Sequence, residues 1–167
     1  MHHFIIERAS APDADSILLL YRSLAGTPFC TWDDEYPDAE IVRSDLEKYK
    51  VFIIRNAEKR IIAAAVSACD PSLDSIAPWY EYVKNWALLT RLGVAQEYQG
   101  RGIARQLVSF VIKDARDSGC DGIRFLVSPD NLPARRMYQS IGFDVCGKAH
   151  HYGLNWLCYQ RRLTALK

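Results

Sequence analysis

The 167-residue chain has the length and composition of one ordinary globular domain, with 49% hydrophobic and 25% charged residues. Its 21 basic residues nearly balance its 20 acidic residues and are spread along the chain, which argues against a nucleic-acid partner. The N-terminal apolar run is too short for a signal peptide, and no uncharged run approaches the roughly 18 residues of a membrane span.

The cysteines indicate a reducing environment. There are five of them, an odd number, and they lie far apart without a CxxC pair or a cluster with histidine. This pattern predicts reduced, structural thiols in a cytoplasmic protein and no metal site.

The first part of the chain predicts a strand, two helices and a hairpin. Residues 4–8 form a short apolar run, and Ser10 and Asp13 have the spacing of a capping box ahead of a first helix. A second helix is expected around residues 39–48. Two apolar runs then flank the turn-like residues 56–60, which predicts a hairpin whose strands are buried on both faces.

Two segments without periodicity are predicted to be loops. Residues 27–37 and 70–85 combine prolines with tryptophan, tyrosine and acidic residues. Aromatic residues concentrated in a connecting segment suggest the wall or lid of a ligand site. The alternative, which the sequence leaves open, is that these aromatics only pack the loops against the rest of the domain.

The remaining residues predict alternating strands and helices. The expected elements are a strand at residues 86–94, a helix at about 102–117, a strand at 122–127, a helix capped by Asn131, and strands near 143–148 and 155–161. With the earlier elements, this order predicts a single α+β domain over residues 1–167. It would contain a mixed, mostly antiparallel sheet of about seven strands, and about four helices.

A glycine-bearing turn separates the strand at residues 86–94 from the helix after it. Gly100 and Gly102 permit a sharp turn and the close approach of a bulky group. A helix start leaves about four backbone N–H groups without partners and carries a partial positive charge, so Arg101 and Arg105 beside it favour a bound anion. The alternative is that the glycines only serve the turn while the arginines extend into solvent.

Two motifs follow each other in this region. Gln99, Gly102 and Ala104 form the pattern Q-x-x-G-x-A. The pattern N-x-x-A-x-x-x-Y-x-x-x-G-F is carried on the later helix by Asn131, Ala134, Tyr138, Gly142 and Phe143. Together they resemble the two signatures of the GNAT superfamily of N-acetyltransferases, over residues 86 to about 147. The resemblance implies a GNAT-like fold with splayed central strands, and acetyl transfer from acetyl-CoA to a primary amine.

The resemblance also implies where acetyl-CoA binds. Its pyrophosphate would lie on the turn, and its pantetheine would lie along the strand beside Leu92 and Val94, in the gap between the splayed strands. The amide of Val94 would donate a hydrogen bond to the thioester carbonyl as that oxygen gains negative charge. The implied pyrophosphate-binding residues are Gln99, Gly100, Arg101, Gly102, Ile103, Ala104 and Arg105.

Two side chains on the later helix acquire roles from the resemblance. Tyr138 matches the family's general acid, which protonates the departing CoA thiolate, and Asn131 matches a residue that often hydrogen-bonds the cofactor. Each has a structural alternative, because Tyr138 could be a core aromatic residue and Asn131 could simply cap the helix. The side chain of Gln99 could likewise only brace the loop.

The sequence departs from the family at the position of the general base. Many relatives carry a glutamate in the strand before the turn, but "WALLTR" contains no carboxylate. An amine with a pKa near 10 must lose a proton before it attacks, so another group has to accept that proton. The candidates, in order, are Glu81, then Asp33, Asp34 and Glu35, and then His150 or His151.

The acceptor is not specified by any motif. Aromatic and acidic residues in the two loops suit a cationic amine, so a small-molecule amine is the first expectation, and a protein N-terminus or lysine is the second. A non-catalytic acyl-CoA-binding module and a nucleotide-binding domain of another fold are the alternatives to an enzyme. The second motif argues against the latter. A homodimer is left open.

Overall fold

Seven strands and four helices follow one another in the predicted order. A computed structural model of the chain describes residues 4–163. The elements are β1 (Ile6–Arg8), α1 (Ala14–Leu24), α2 (Ala39–Lys48), β2 (Lys50–Arg55), β3 (Ile61–Ala68), β4 (Trp86–Val94), α3 (Ile103–Asp117), β5 (Gly122–Val127), α4 (Leu132–Ser140), β6 (Asp144–His151) and β7 (Leu154–Arg162). Single turns of 3₁₀ helix lie at Ala11–Asp13, Pro71–Leu73 and Gln96–Tyr98.

The described chain divides into two compact units. The first contains residues 4–68 and 90–111, and the second contains residues 69–89 and 112–163. Strand β4 passes from the second unit into the first after Leu89, and helix α3 passes back into the second after Val111. The predicted domain, residues 1–167, extends beyond the described residues at both ends, and its single-domain character stays a prediction.

In the first unit, the strand order is β1-β2-β3-β4, and β1, β2 and β3 are antiparallel. Every residue of β3 is buried, as the uninterrupted apolar sequence predicts for a strand covered on both faces. The capping box is present, with the Ser10 amide donating to the Asp13 carboxylate at 2.9 Å. Helix α1 buries one apolar face, formed by Ile17, Leu20, Tyr21 and Leu24.

In the second unit, the strand order is β4-β5-β7-β6. Strands β5 and β7 are antiparallel, as are β6 and β7, whereas β4 and β5 are parallel. The β6–β7 hairpin turns at Tyr152 and Gly153, which both have positive φ angles, of 54° and 71°, as a two-residue type I′ turn requires. The sheet is therefore mixed and mostly antiparallel, which confirms the predicted fold class.

The parallel pairing of β4 with β5 is short. Within the described residues it covers only positions 86–88 and 122–124, although β4 continues to Val94 and β5 to Val127.

Three predicted boundaries need correction. The first strand begins at Ile6 rather than at residue 4, and α3 begins at Ile103, one residue after the predicted start. His150 and His151 belong to β6 and do not lie between the last two strands, because the tight turn at Tyr152 lets the ladder continue to the hairpin tip. No helix between residues 4 and 163 has the length and apolarity needed to cross a membrane.

Candidate functional site

The glycine turn between β4 and α3 has a backbone that only glycine adopts easily. Gly100 has φ = 73° and Gly102 has φ = 78°, both in the left-handed region. A Cβ atom built at either position would meet no other atom within 4 Å. The backbone conformation therefore accounts for the glycines, and open space lies beside both of them.

The side chain of Gln99 fixes this turn to the end of β4. Its Nε2 donates a hydrogen bond to the carbonyl oxygen of Val94 at 2.9 Å. The next residue, Ala95, donates its amide to the Ile62 carbonyl of β3 at 2.8 Å. Gln99 therefore braces the loop, as the structural alternative predicts, and its backbone amide is also engaged, donating to the Gln96 carbonyl at 3.1 Å.

Arg101 folds back along the turn. Its Nη2 donates to the carbonyl oxygen of Glu97 at 2.8 Å, and its guanidinium lies 5.1 Å from the centre of the Tyr98 ring. Arg101 is nevertheless an exposed residue, so its charge stays in contact with solvent. Arg105 lies on the first turn of α3, so both arginines keep positive charge close to the amides that open the helix.

Strand β4 is irregular just before the turn, a feature that the sequence analysis missed. Arg91 has φ = 46°, in the left-handed region that is unusual for a residue with a side chain. The tyrosine hydroxyl of Tyr21 donates to the Arg91 carbonyl at 3.1 Å. Two residues later, a Cβ atom on Gly93 would lie 2.8 Å from Cδ1 of Leu24, so β4 and α1 come very close at this position.

Tyr138 lies in the second unit, on α4, and is 6% exposed. Its ring centre is 4.4 Å from that of Phe125, and the rings of Phe143 and Tyr159 complete an aromatic cluster. Burial raises the pKa of the Tyr138 phenol, and the Tyr159 hydroxyl acts in the same direction. The phenol therefore keeps its proton at neutral pH, as a general acid must.

Asn131 caps α4. Its Oδ1 accepts a hydrogen bond from the amide of Ala134 at 3.2 Å, which is the geometry of an N-cap. The capping alternative is thus present in the structure. A role of Asn131 in cofactor binding stays a prediction.

The comparison with known families decides the identity. The sequence model described as the Acetyltransferase (GNAT) family matches residues 17–143, more than half of the chain. The chain belongs to the GNAT acetyltransferase family. The match confirms the resemblance given by the two motifs, and it extends well ahead of them to α1.

Individual proteins agree with this assignment. N-alpha-acetyltransferase MAK3 of Arabidopsis thaliana is 36% identical over 67 residues, which are 40% of this chain and 35% of that protein. N-acetyltransferase 8F1 of Rattus norvegicus is 29% identical over 140 residues, covering 79% of this chain and 58% of that protein. The chain thus spans about a third to three fifths of the lengths of these relatives.

The fold also matches solved structures. yncA of Salmonella typhimurium, solved with its cofactor acetyl-CoA, superposes with a TM-score of 0.76 at 20% sequence identity. The superposition covers 99% of this chain and 97% of that one. At this identity the likeness establishes that the chain has the GNAT fold.

The carboxylates proposed as the general base of this GNAT protein are all exposed. Glu81 is exposed, as are Asp34 and Glu35. Asp33 is also exposed, but its Oδ1 accepts the amides of Glu35 and Tyr36, both at 2.9 Å, and so shapes its own loop. None of these positions singles out a base.

The two histidines near the tip of the β6–β7 hairpin differ from each other. Nδ1 of His150 lies 2.9 Å from the side-chain oxygen of Asn155. The ring of His151 lies 3.7 Å from that of Tyr152, and its Nε2 is buried without a hydrogen-bond partner among the described residues. Both side chains thus contact their own hairpin.

The aromatic residues of the segment between β3 and β4 divide into buried and exposed groups. Trp79 is 8% exposed, and its indole N–H donates to the Leu73 carbonyl. Trp79 and Trp86 enclose the guanidinium of Arg124, at 5.3 and 5.1 Å. Trp79 therefore packs the segment onto the sheet, as the structural alternative predicts. Tyr82 is 58% exposed, but its ring stacks on that of Tyr80 and lies 5.1 Å from the Arg162 guanidinium.

Proposed function

We propose that this chain transfers an acetyl group from acetyl-CoA to a primary amine by direct attack. The observation that carries the proposal is the strand–turn–helix with two left-handed glycines, in a chain of the GNAT family. Bound acetyl-CoA would supply an acetyl group already activated as a thioester. The protein would bind it, orient it and manage protons.

The turn fits the pyrophosphate of such a cofactor. Gly100 and Gly102 leave open space beside the backbone, and the first amides of α3 lack intrahelical acceptors by the geometry of any helix start. Amides and helix dipole together favour an anion at this end. The positive charges of Arg101 and Arg105 act in the same sense. We therefore assign the cofactor's phosphates to residues 99–105.

The end of β4 would hold the reactive part of the cofactor. We propose that pantetheine runs beside Leu92 and that the amide of Val94 donates to the thioester carbonyl. Val94 is 8% exposed, and a donor in a site sheltered from water stabilises developing charge far better than a donor in water.

Tyr138 would act as the acid that protonates the departing CoA thiolate. Its phenol is protonated at neutral pH, so a proton is present at this position when the thiolate forms. Asn131 would position the cofactor in addition to capping α4. Glu81 remains the proposed base, since it is a carboxylate exposed on the segment before β4.

Two classes of acceptor are proposed. A small-molecule amine comes first, supported by the exposed acids Asp33, Asp34 and Glu35, which suit a cationic group. A protein N-terminus or lysine comes second, and the similarity to N-alpha-acetyltransferase MAK3 supports the N-terminus. We further propose a cytoplasmic location, supported by the five free cysteines.

Calorimetric titration of acetyl-CoA tests the proposal. Wild type should bind with micromolar affinity, and Gly102→Glu should lose binding at least about 100-fold, because the added carboxylate repels and obstructs the pyrophosphate. Gly119→Glu is the matched control. Gly119 also has a left-handed φ, of 85°, and open space beside it, but it follows the opposite end of α3. Gly119→Glu should therefore lower the free energy of unfolding as much as Gly102→Glu does, but it should bind acetyl-CoA like wild type.

The outcomes separate the alternatives. If wild type does not bind acetyl-CoA, the proposed function is wrong. If wild type binds but releases no CoA thiol with any of a panel of small amines and peptides, the chain is the non-catalytic acyl-CoA-binding module.

A further inference from the structure

The residue with the least ordinary backbone in β4 is Arg91. A left-handed φ of 46° inside a strand interrupts its regular pleat, as a bulge does. The burial pattern shows the interruption. Ala87 and Leu89 are buried in alternation before Arg91, whereas the neighbours Gly93 and Val94 are both buried after it. Strict alternation would have left one of these two on the opposite face.

The side chain of Arg91 forms a bidentate ion pair with Asp45 of α2. The Nε–Oδ2 and Nη2–Oδ1 distances are both 2.5 Å. The two side chains are only 14% and 5% exposed. Burial lowers the pKa of Arg91, but the hydrogen bond and charge of Asp45 outweigh this effect and raise it, so the guanidinium stays charged.

Further contacts surround the same residue. Nη1 of Arg91 donates to the Tyr36 hydroxyl at 3.0 Å, and the Arg91 carbonyl accepts from Tyr21 at 3.1 Å. Side chains from α1, from α2 and from the loop between them therefore all bind this one residue. A non-glycine residue persists in the left-handed region only when its surroundings determine its conformation in this way.

We propose that the buried Arg91–Asp45 pair is a positioning device for acetyl transfer. It holds the bulge of β4 in place and thereby fixes the direction of the backbone from Leu92 to Val94, against which the thioester lies. This inference rests on the proposed function. Arg91 and Asp45 are positioning residues: they act on the reaction through the amide of Val94.

Two variants at position 91 distinguish the effect of losing the ion pair from the effect of changing the backbone conformation. Arg91→Ala removes the pair and leaves a residue that disfavours a positive φ, whereas Arg91→Gly removes the pair but adopts a positive φ readily. Arg55→Ala is the matched control. It removes an arginine of the same unit that pairs with Glu7 and Asp13, and it leaves β4 intact.

The measurement needs no knowledge of the acceptor. Protein labelled with ¹⁵N-valine is titrated with acetyl-CoA, and the amide signal of Val94, identified by its absence in Val94→Ile, is followed by NMR. Calorimetry gives the Kd in parallel. In wild type and in Arg55→Ala, the Val94 amide proton should move downfield when the carbonyl binds. In Arg91→Ala that shift should be lost while the Kd changes less than about threefold, and Arg91→Gly should recover part of the shift.

Turnover provides a second readout. With an amine that wild type acetylates, kcat of Arg91→Ala should fall at least about tenfold without a matching rise in KM for acetyl-CoA. If Arg91→Ala does not fold, Asp45→Asn replaces it, because the amide keeps the volume of the side chain and removes its charge.

Three results would overturn the inference while leaving the proposed function intact. The first is an unchanged Val94 shift in Arg91→Ala. The second is an Arg91→Ala variant that binds acetyl-CoA more weakly but keeps the Val94 shift and kcat of wild type. The third is an equal loss of the Val94 shift in Arg91→Ala and Arg91→Gly. Failure of wild type to bind acetyl-CoA would instead overturn the proposed function, and this inference with it.

Discussion

Replacement of Tyr138 by phenylalanine removes a single oxygen atom from a packed ring. The ring contacts with Phe125 and Phe143, at 4.4 and 5.7 Å between centroids, are kept by phenylalanine. The free energy of unfolding should therefore change by less than about 1 kcal/mol, and the Kd of acetyl-CoA by less than about threefold. The chemical step loses its acid. A positioned acid typically contributes about 10²- to 10⁴-fold, so kcat should fall at least about 100-fold.

The assay is release of CoA thiol at saturating acetyl-CoA and amine, with calorimetry for binding and thermal unfolding for stability. Tyr159→Phe is the control in the same aromatic cluster. The Tyr159 hydroxyl is buried and has no hydrogen-bond partner among the described residues, so its removal should stabilise the fold by about 1 kcal/mol and leave kcat within about twofold. The assignment of Tyr138 as the acid would be refuted if Tyr138→Phe kept more than half of the wild-type kcat.

Two further predictions concern packing and thiol chemistry. Gly122→Ala should lower stability by about 1–3 kcal/mol in a urea titration, because the added Cβ would lie 2.6 Å from Cγ1 of Val83, and an unchanged midpoint would contradict this packing. A thiol reagent at about pH 8 should modify the exposed Cys69 at least about 100-fold faster than Cys158. Cys158 is buried, and burial, followed by the charge of Cys146, raises its pKa to about 11; comparable rates by mass spectrometry would contradict the burial.

Local features of the chain were predictable because their signals lie within a few residues. The capping box at Ser10 and the cap at Asn131 depend on neighbours three positions away. The glycine turn has a similar local signal, since left-handed backbone at Gly100 and Gly102 selects glycine directly. Such signals, combined with strand and helix periodicity, were enough to predict the element order.

Arg91 could not be predicted, because nothing near it in the sequence marks its conformation. Arginine has no preference for the left-handed region, and its partner Asp45 is 46 positions earlier in the chain, on a different helix. Trp79 was ambiguous for a related reason. An aromatic residue in an irregular segment looks the same in the sequence whether it lines a ligand site or, as here, covers a sheet.

The absence of a carboxylate from "WALLTR" bears on the acceptor. At pH 7 an alkyl amine with a pKa near 10.4 is deprotonated in only about one molecule in 2,500, whereas an α-amine with a pKa near 8 is deprotonated in about one molecule in ten. An alkyl amine therefore depends strongly on a positioned base, and an α-amine does not. The exposed Glu81, Asp34 and Glu35 show no such positioning. An α-amine, on a small molecule or at a peptide N-terminus, is thus the acceptor that depends least on a positioned general base.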